Sequence, residues 1–135
     1  MLFQKSENIQ NAIWEANIEE VQKLLKSGTK INNETIRIAL IKRNIQILNL
    51  IVDNTDIVEY DSHILLIAIY YQDIELIKKL FYRGVQPGHD SLYWLFRSND
   101  RELVKLFLEY GYEFTDISYF NSEIINLIKR YYVLR

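Results

Sequence analysis

The side chains best suited to chemistry are few and far apart in this sequence. His63 and His89 are its two histidines. Zinc ligands usually come in closely spaced groups, and the spacing of 26 positions between these two histidines matches no such motif. A shared metal is conceivable, but packing at the start of two helices is the better interpretation. The chain has no cysteine, which excludes disulfides, thiolate nucleophiles and thiolate metal ligands.

Residue patterns typical of enzymes are missing as well. The sequence has no glycine-rich phosphate loop, no Gly-x-Ser-x-Gly and no His-Glu-x-x-His. Acid pairs such as Glu19-Glu20 fall on the predicted solvent side of helices, where charges are ordinary. We therefore predict that the protein is not an enzyme and binds no metal and no cofactor.

Charge and hydropathy narrow the class of protein further. The net charge is −2, which disfavours the broad basic surface of nucleic-acid binding. The N-terminus has no signal-peptide pattern, and the longest apolar run, Ile64 to Tyr71, is too short to cross a bilayer. We expect a soluble intracellular protein, with the cytoplasm as first choice and no membrane contact.

The charge is nevertheless uneven along the chain. Residues 44–77 contain six acidic residues and no Lys or Arg. An acidic middle would suit a basic partner, although solvated acids at the edges of loops are the commoner explanation.

The elements that must position any site form a repeat. Four segments align in one register from Ala12, Ala39, Ala68 and Leu95. Each continues with a short acceptor that can cap a second helix, at Asn17, Asn44, Asp73 and Asp100. Apolar residues follow at helical spacing, and three of the four segments then reach a glycine that can end the helix, at Gly28, Gly84 and Gly111.

A first, shorter helix precedes each cap. Its predicted buried residues are Ile9, Ile36, Leu65 and Leu92, followed by the small column Ala12, Ala39 and Ala68. Small residues let two helices approach closely, so Leu95 predicts different packing or a wider gap in the fourth segment. Towards the C-terminus, Asn121 or Ser122 is expected to cap a closing helix that covers the end of the stack.

These residues resemble the ankyrin repeat. The second half of that repeat reads Gly-His-Leu-Glu-Val-Val-Lys-Leu-Leu-Leu-x-x-Gly, and this chain has Asp100-Arg-Glu-Leu-Val-Lys-Leu-Phe-Leu-Glu-Tyr-Gly111. The resemblance implies an all-α ankyrin-like solenoid of about four helix–turn–helix repeats, in a single domain over residues 1–135. The expected repeats are 6–32, 33–60, 61–88 and 89–116, with a capping helix in 117–135.

Departures from the family pattern are local. The period of 27–29 residues is shorter than that of the family, which predicts truncated finger loops between the repeats. The family's glycine between the two helices is replaced by Ala16, Arg43, Gln72 and Asn99. A divergent α-solenoid of another family is the competing fold.

The resemblance also implies where a partner would bind, because the concave groove of ankyrin repeats is lined by first helices and fingers. The outward positions of the first helices correspond here to Trp14-Glu15, Ile41-Lys42, Tyr70-Tyr71 and Arg97-Ser98. Aromatic residues and Arg are enriched where binding energy concentrates. The predicted partner-binding residues are therefore Trp14, Glu15, Lys42, Tyr70, Tyr71 and Arg97, although Tyr70 and Tyr71 could instead pack against neighbouring repeats.

Two functions follow from this interpretation. The first is a protein–protein interaction module, a small adaptor or inhibitor that binds one protein partner through its concave face. The alternative is an assembly protein that associates with itself through the ends of the repeat stack. Light scattering separates the two, since the second requires an oligomer whose mass depends on concentration. The expected state of the protein is a monomer or weak homo-oligomer.

Overall fold

The computed structural model describes residues 5–56 and 59–134, and within these residues the fold is all-helical without strands. Nine helices are formed there, eight of them in four pairs. The pairs are α1 (Lys5–Trp14) with α2 (Ile18–Lys26), α3 (Asn33–Lys42) with α4 (Ile45–Asp53), α5 (Asp61–Tyr70) with α6 (Ile74–Tyr82), and α7 (His89–Ser98) with α8 (Arg101–Glu109). The last helix, α9 (Ser122–Leu134), packs on α8.

The predicted caps begin the second helices. The side chains of Asn17, Asn44, Asp73 and Asp100 each accept a hydrogen bond from a backbone N–H in the first turn that follows. The capping residue of α9 is Asn121, whose side chain accepts from the N–H of Ile124 at 2.9 Å. Short acceptors therefore set the helix starts, as the sequence predicts.

The core is continuous along the helix pairs. The small column Ala12, Ala39 and Ala68 is buried, where α1 packs on α3 and α5 packs on α7. Leu95 is also fully buried, so the larger side chain at this position is accommodated within the core. The second and third pairs meet through α4, which packs on both α5 and α6.

Three of the four second helices are followed closely by a glycine, and the second pair has another residue at that position and a different set of hydrogen bonds. Gly28, Gly84 and Gly111 have positive φ angles, and their N–H groups donate to the carbonyls of Leu25, Phe81 and Leu108. Thr55 stands where the second pair would have its glycine. There the matching carbonyl, that of Val52, accepts from the guanidinium of Arg83 in the next pair, which also donates to the Thr55 carbonyl at 2.6 Å. A side chain from the neighbouring pair thus satisfies the end of α4.

Arg83 is held in turn by Asp61. Its Nη1 lies 3.6 Å from Oδ2 of Asp61, whose side chain is 3% exposed. Burial raises the pKa of the Asp61 carboxyl, and the charge of Arg83 opposes this shift. Arg83 therefore connects the end of α4 to the start of α5.

A second polar contact joins the same two pairs. The Nζ of Lys79 lies 2.9 Å from Asp53 and 3.1 Å from the side-chain oxygen of Asn49. Asn49 donates to Asp73, the cap of α6, at 3.0 Å. Three acids of the acidic middle, Asp53, Asp61 and Asp73, are thus engaged within the protein, two of them by basic residues that lie outside residues 44–77.

Candidate functional site

Four equivalent turns position the candidate site. Ala16, Arg43, Gln72 and Asn99 all have positive φ angles, between 44° and 57°, although none of them is glycine. They stand where the ankyrin pattern has its inter-helix glycine, and they impose the same sharp reversal on each helix pair. The two residues before each turn therefore occupy equivalent places at the ends of α1, α3, α5 and α7.

The predicted binding residues are exposed at these places. Trp14, Tyr70 and Tyr71 have 55%, 51% and 49% of their surface accessible, and Ile41 has 67%. Glu15, Lys42 and Arg97 are also exposed. We call this surface the first-helix face, defined by Trp14, Glu15, Ile41, Lys42, Tyr70, Tyr71 and Arg97 together with Tyr93 and Trp94, which are described below.

The N-terminal part of the first-helix face is a cation–aromatic pair. The Nζ of Lys42 lies 4.6 Å from the centre of the Trp14 ring. This contact joins α1 to α3 and holds a positive charge over an exposed indole. Glu15 lies beside Trp14 in the chain and forms no ion pair within the part of the chain that the structure describes.

The C-terminal part of the face is a chain of four aromatic rings. Tyr71 contacts Tyr70 edge-on at 5.1 Å between centroids, Tyr70 contacts Trp94 at 4.8 Å, and Trp94 contacts Tyr93 at 5.5 Å. Edge-to-face geometry is the favoured arrangement of such pairs. Tyr70 therefore packs on the next first helix and also stays half exposed. Its role in partner binding stays a prediction.

Arg97 completes this cluster. It donates from Nη1 to the hydroxyl of Tyr93 at 3.0 Å, and its guanidinium lies 5.7 Å and 5.9 Å from the ring centres of Tyr93 and Trp94. The face thus consists of two contact groups, Trp14 with Lys42 and the Tyr70 cluster with Arg97.

Sequence analysis did not identify Tyr93 and Trp94 as site residues. They lie one helical turn before Arg97, at i−4 and i−3, which places all three on one side of α7. This helical spacing can be read from the sequence, and it is the signal that would identify Tyr93 and Trp94 as neighbours of Arg97. The predicted site covers the residues next to the inter-helix turns and does not extend to the preceding helical turn, where Tyr93 and Trp94 lie.

An aromatic groove adjoins the C-terminal part of the face. It encloses about 560 Å³ and is lined by His89, Leu92, Tyr93, Phe96, Arg97, Asn99 and Tyr119. Phe96 and Tyr119 stack at 5.4 Å, with 24° between their planes, and form its apolar wall. The volume falls within the range of small-molecule pockets. The polar side chains of His89, Arg97 and Asn99 line the groove beside its apolar wall.

The two histidines come closer in space than in sequence. His63 and His89 are exposed and line one surface pocket of about 370 Å³ together with Ser62 and Asp90. Among the described residues, however, no group of three or more His, Cys, Asp or Glu side chains could hold a metal ion. His63 instead packs near the ring of Tyr60, at 6.3 Å.

Comparison of the chain with protein-family models, with curated proteins and with solved structures gave no match. The ankyrin resemblance therefore stays a prediction. Among the described helices, none is long and apolar enough to cross a membrane.

Proposed function

We propose that this protein is a protein–protein interaction module that binds one partner through the first-helix face. The observation that carries the proposal is the chain of exposed rings Tyr71, Tyr70, Trp94 and Tyr93, bordered by Arg97. Large aromatic side chains bury much apolar surface on binding and have few rotatable bonds to immobilise.

The arrangement of these rings supports the proposal. Each ring contacts the next, so a partner would meet side chains that are already ordered, which lowers the entropic cost of association. Exposed aromatic side chains collected on one surface are typical of interaction sites, whereas isolated ones are ordinary.

The ankyrin-like interpretation belongs to this proposal. Its support is the set of four left-handed turns at the family's glycine positions and the four capped second helices. In such a stack the first helices line the concave side, which is where Trp14, Lys42, Tyr70 and Arg97 would lie.

Self-association through the ends of the stack has less support. Most exposed residues of α9 are polar, among them Glu123, Asn126, Lys129 and Arg130, although Tyr132 and Val133 near its end are exposed as well. A largely polar outer surface is typical of terminal repeats that stay soluble. Multi-angle light scattering over a range of concentrations tests it directly, because assembly requires a mass that grows with concentration.

The test of the proposed function is affinity capture with a matched set of variants. The triple change Trp14→Ala, Tyr70→Ala, Tyr71→Ala should remove partner capture, since each hot-spot truncation costs about 2 kcal/mol or more, roughly thirtyfold in affinity. Far-ultraviolet circular dichroism should stay helical, because all three side chains are about half exposed.

The control is Tyr82→Ala. Tyr82 is 89% exposed on α6, a second helix, and should be replaceable without loss of capture. Loss of capture with Tyr82→Ala and its retention in the triple variant would place the partner on the opposite side and contradict the proposal. Unfolding of the triple variant would show that its residues are core.

A further inference from the structure

The charge of the first-helix face differs in sign from that of the whole chain. The chain carries −2, whereas the first-helix face carries Lys42 and Arg97 against a single acid, Glu15, and the turn residue Arg43 lies beside Lys42 in the chain. A partner of opposite charge would be attracted to this surface, and complementary charge favours specificity and fast association.

These three cations have no carboxylate within ion-pair distance in the described part of the chain. Other basic side chains of the same pairs behave differently. Arg37, Lys78, Lys79, Arg83 and Arg101 all pair with acids. Unpaired lysines also occur on second helices, so the absence of a partner is not by itself distinctive.

Lys42 and Arg97 differ from the other unpaired basic residues because each contacts an exposed aromatic ring. Lys42 lies over Trp14 and Arg97 lies against Tyr93 and Trp94, so both charges are held at fixed places beside exposed apolar surface. A guanidinium held in this way presents its remaining N–H groups in a planar arrangement that matches a carboxylate.

The apolar wall of the aromatic groove adjoins one of these charges. Phe96 and Tyr119 line the same cavity as Arg97. An apolar side chain of a partner can enter there while a neighbouring carboxylate meets the guanidinium. We propose, on the basis of the proposed function, that the partner presents an acidic segment with interspersed aromatic or aliphatic residues, which lies along the first-helix face.

Selection from a random peptide library tests this inference without knowledge of the partner. Peptides of about twelve residues reach about 40 Å when extended, long enough to span several neighbouring helices spaced about 8–10 Å apart. Panning against the intact chain should enrich sequences that contain Asp or Glu together with Phe, Trp, Leu or Ile. Their affinity should fall as salt rises, since exposed charge pairs are screened.

Variants then locate the binding site of the selected peptides. Arg97→Ala should weaken them about tenfold, as expected when a charged hydrogen bond is lost. Arg130→Ala, at an exposed arginine on α9, is the matched control and should change nothing. Glu15→Lys should strengthen binding, because it removes the one acid of the face.

Each contrary result has a distinct meaning. If the selected peptides lack acidic residues but their binding still depends on Tyr70 and Trp94, the proposal of an acidic partner is wrong. The proposed interaction face would remain supported. Peptides insensitive to both Tyr70→Ala and Arg97→Ala, or no enriched peptide at all, would overturn the face as well. A single-stranded oligonucleotide that competes with the peptides and requires Arg97 would assign the charge to nucleic acid instead.

Discussion

Replacement of Arg83 by Met tests how the second and third helix pairs are joined. Met keeps an unbranched apolar side chain, is shorter than Arg and donates no hydrogen bond. The change removes bonds to the Val52 and Thr55 carbonyls and leaves the carboxyl of Asp61 buried without a counter-charge. Loss of one partner from a buried ion pair costs about 3–5 kcal/mol.

The partial exposure of Arg83 reduces the loss of stability expected from Arg83→Met. Its side chain is 22% exposed, so solvent already screens part of the interaction. We therefore expect a loss of about 2–4 kcal/mol, a large share of the roughly 5–15 kcal/mol that stabilises an ordinary domain.

Urea denaturation followed by circular dichroism and tryptophan fluorescence measures the effect. Trp14 in α1 and Trp94 in α7 lie on opposite sides of the Arg83 contact. In the parent protein their transitions should coincide. In Arg83→Met, with Trp14→Phe or Trp94→Phe added to isolate each signal, the two transitions should separate, because neighbouring repeats are coupled only through their interfaces.

Asp61 gives this prediction a pH signature. Burial raises the pKa of its carboxyl in the folded protein, so its protonated form favours folding. Removal of Arg83 raises this pKa further. The decrease in the free energy of unfolding caused by Arg83→Met should therefore be largest at neutral pH. It should become smaller as the pH falls towards the ordinary carboxyl pKa of about 4.

Two controls decide the interpretation. Arg101→Met breaks an exposed pair with Glu123 and should cost no more than about 1 kcal/mol. Addition of Asp61→Asn should recover part of the loss in Arg83→Met. Equal losses for Arg83→Met and Arg101→Met, or a loss unaffected by Asp61→Asn, would refute the reasoning.

Three further outcomes are expected. Ala39→Leu and Ala68→Leu should each lower stability by about 1–3 kcal/mol in urea denaturation, because both positions are buried between packed helices, and an unchanged midpoint would show that the helix register is wrong. Gln72→Gly should raise the free energy of unfolding slightly, by up to about 1 kcal/mol in the same measurement, because its φ of 57° is strained for a residue with a Cβ; a loss of stability instead would show that the Gln72 side chain contributes more than backbone strain costs. Elemental analysis of purified protein should find no stoichiometric metal, and one tightly bound zinc lost on His63→Ala or His89→Ala would contradict this.

The helical repeat could be predicted from sequence because its signals are local. A cap such as Asp73 or a terminating Gly84 acts on backbone groups a few residues away, so type and spacing suffice. The closing helix followed from the same reasoning, with Asn121 rather than Ser122 as its cap.

The contacts that the sequence does not predict are made between residues far apart in the chain. Tyr70 meets Trp94 only because α5 packs on α7, and no spacing within either helix reports that contact. Asp61 has the sequence context of a surface acid at a helix start, yet it is buried because Arg83 returns to it from the end of α6. Such pairings are set by packing of the helices rather than by local propensity.

The constant inter-helix turns have a consequence for changes in chain length. The segments 15–17, 43–44, 71–73 and 99–100 join first to second helices with almost no slack, whereas the segments between pairs, such as 27–32 and 110–121, are longer. An inserted residue in a turn would rotate the second helix off the core. An insertion within residues 27–32 would have to spare the buried Thr29, the core contact of Ile31 and the α3 cap Asn32. The exposed Lys30 is therefore the position in this loop where a peptide tag would disturb the helix pairs least.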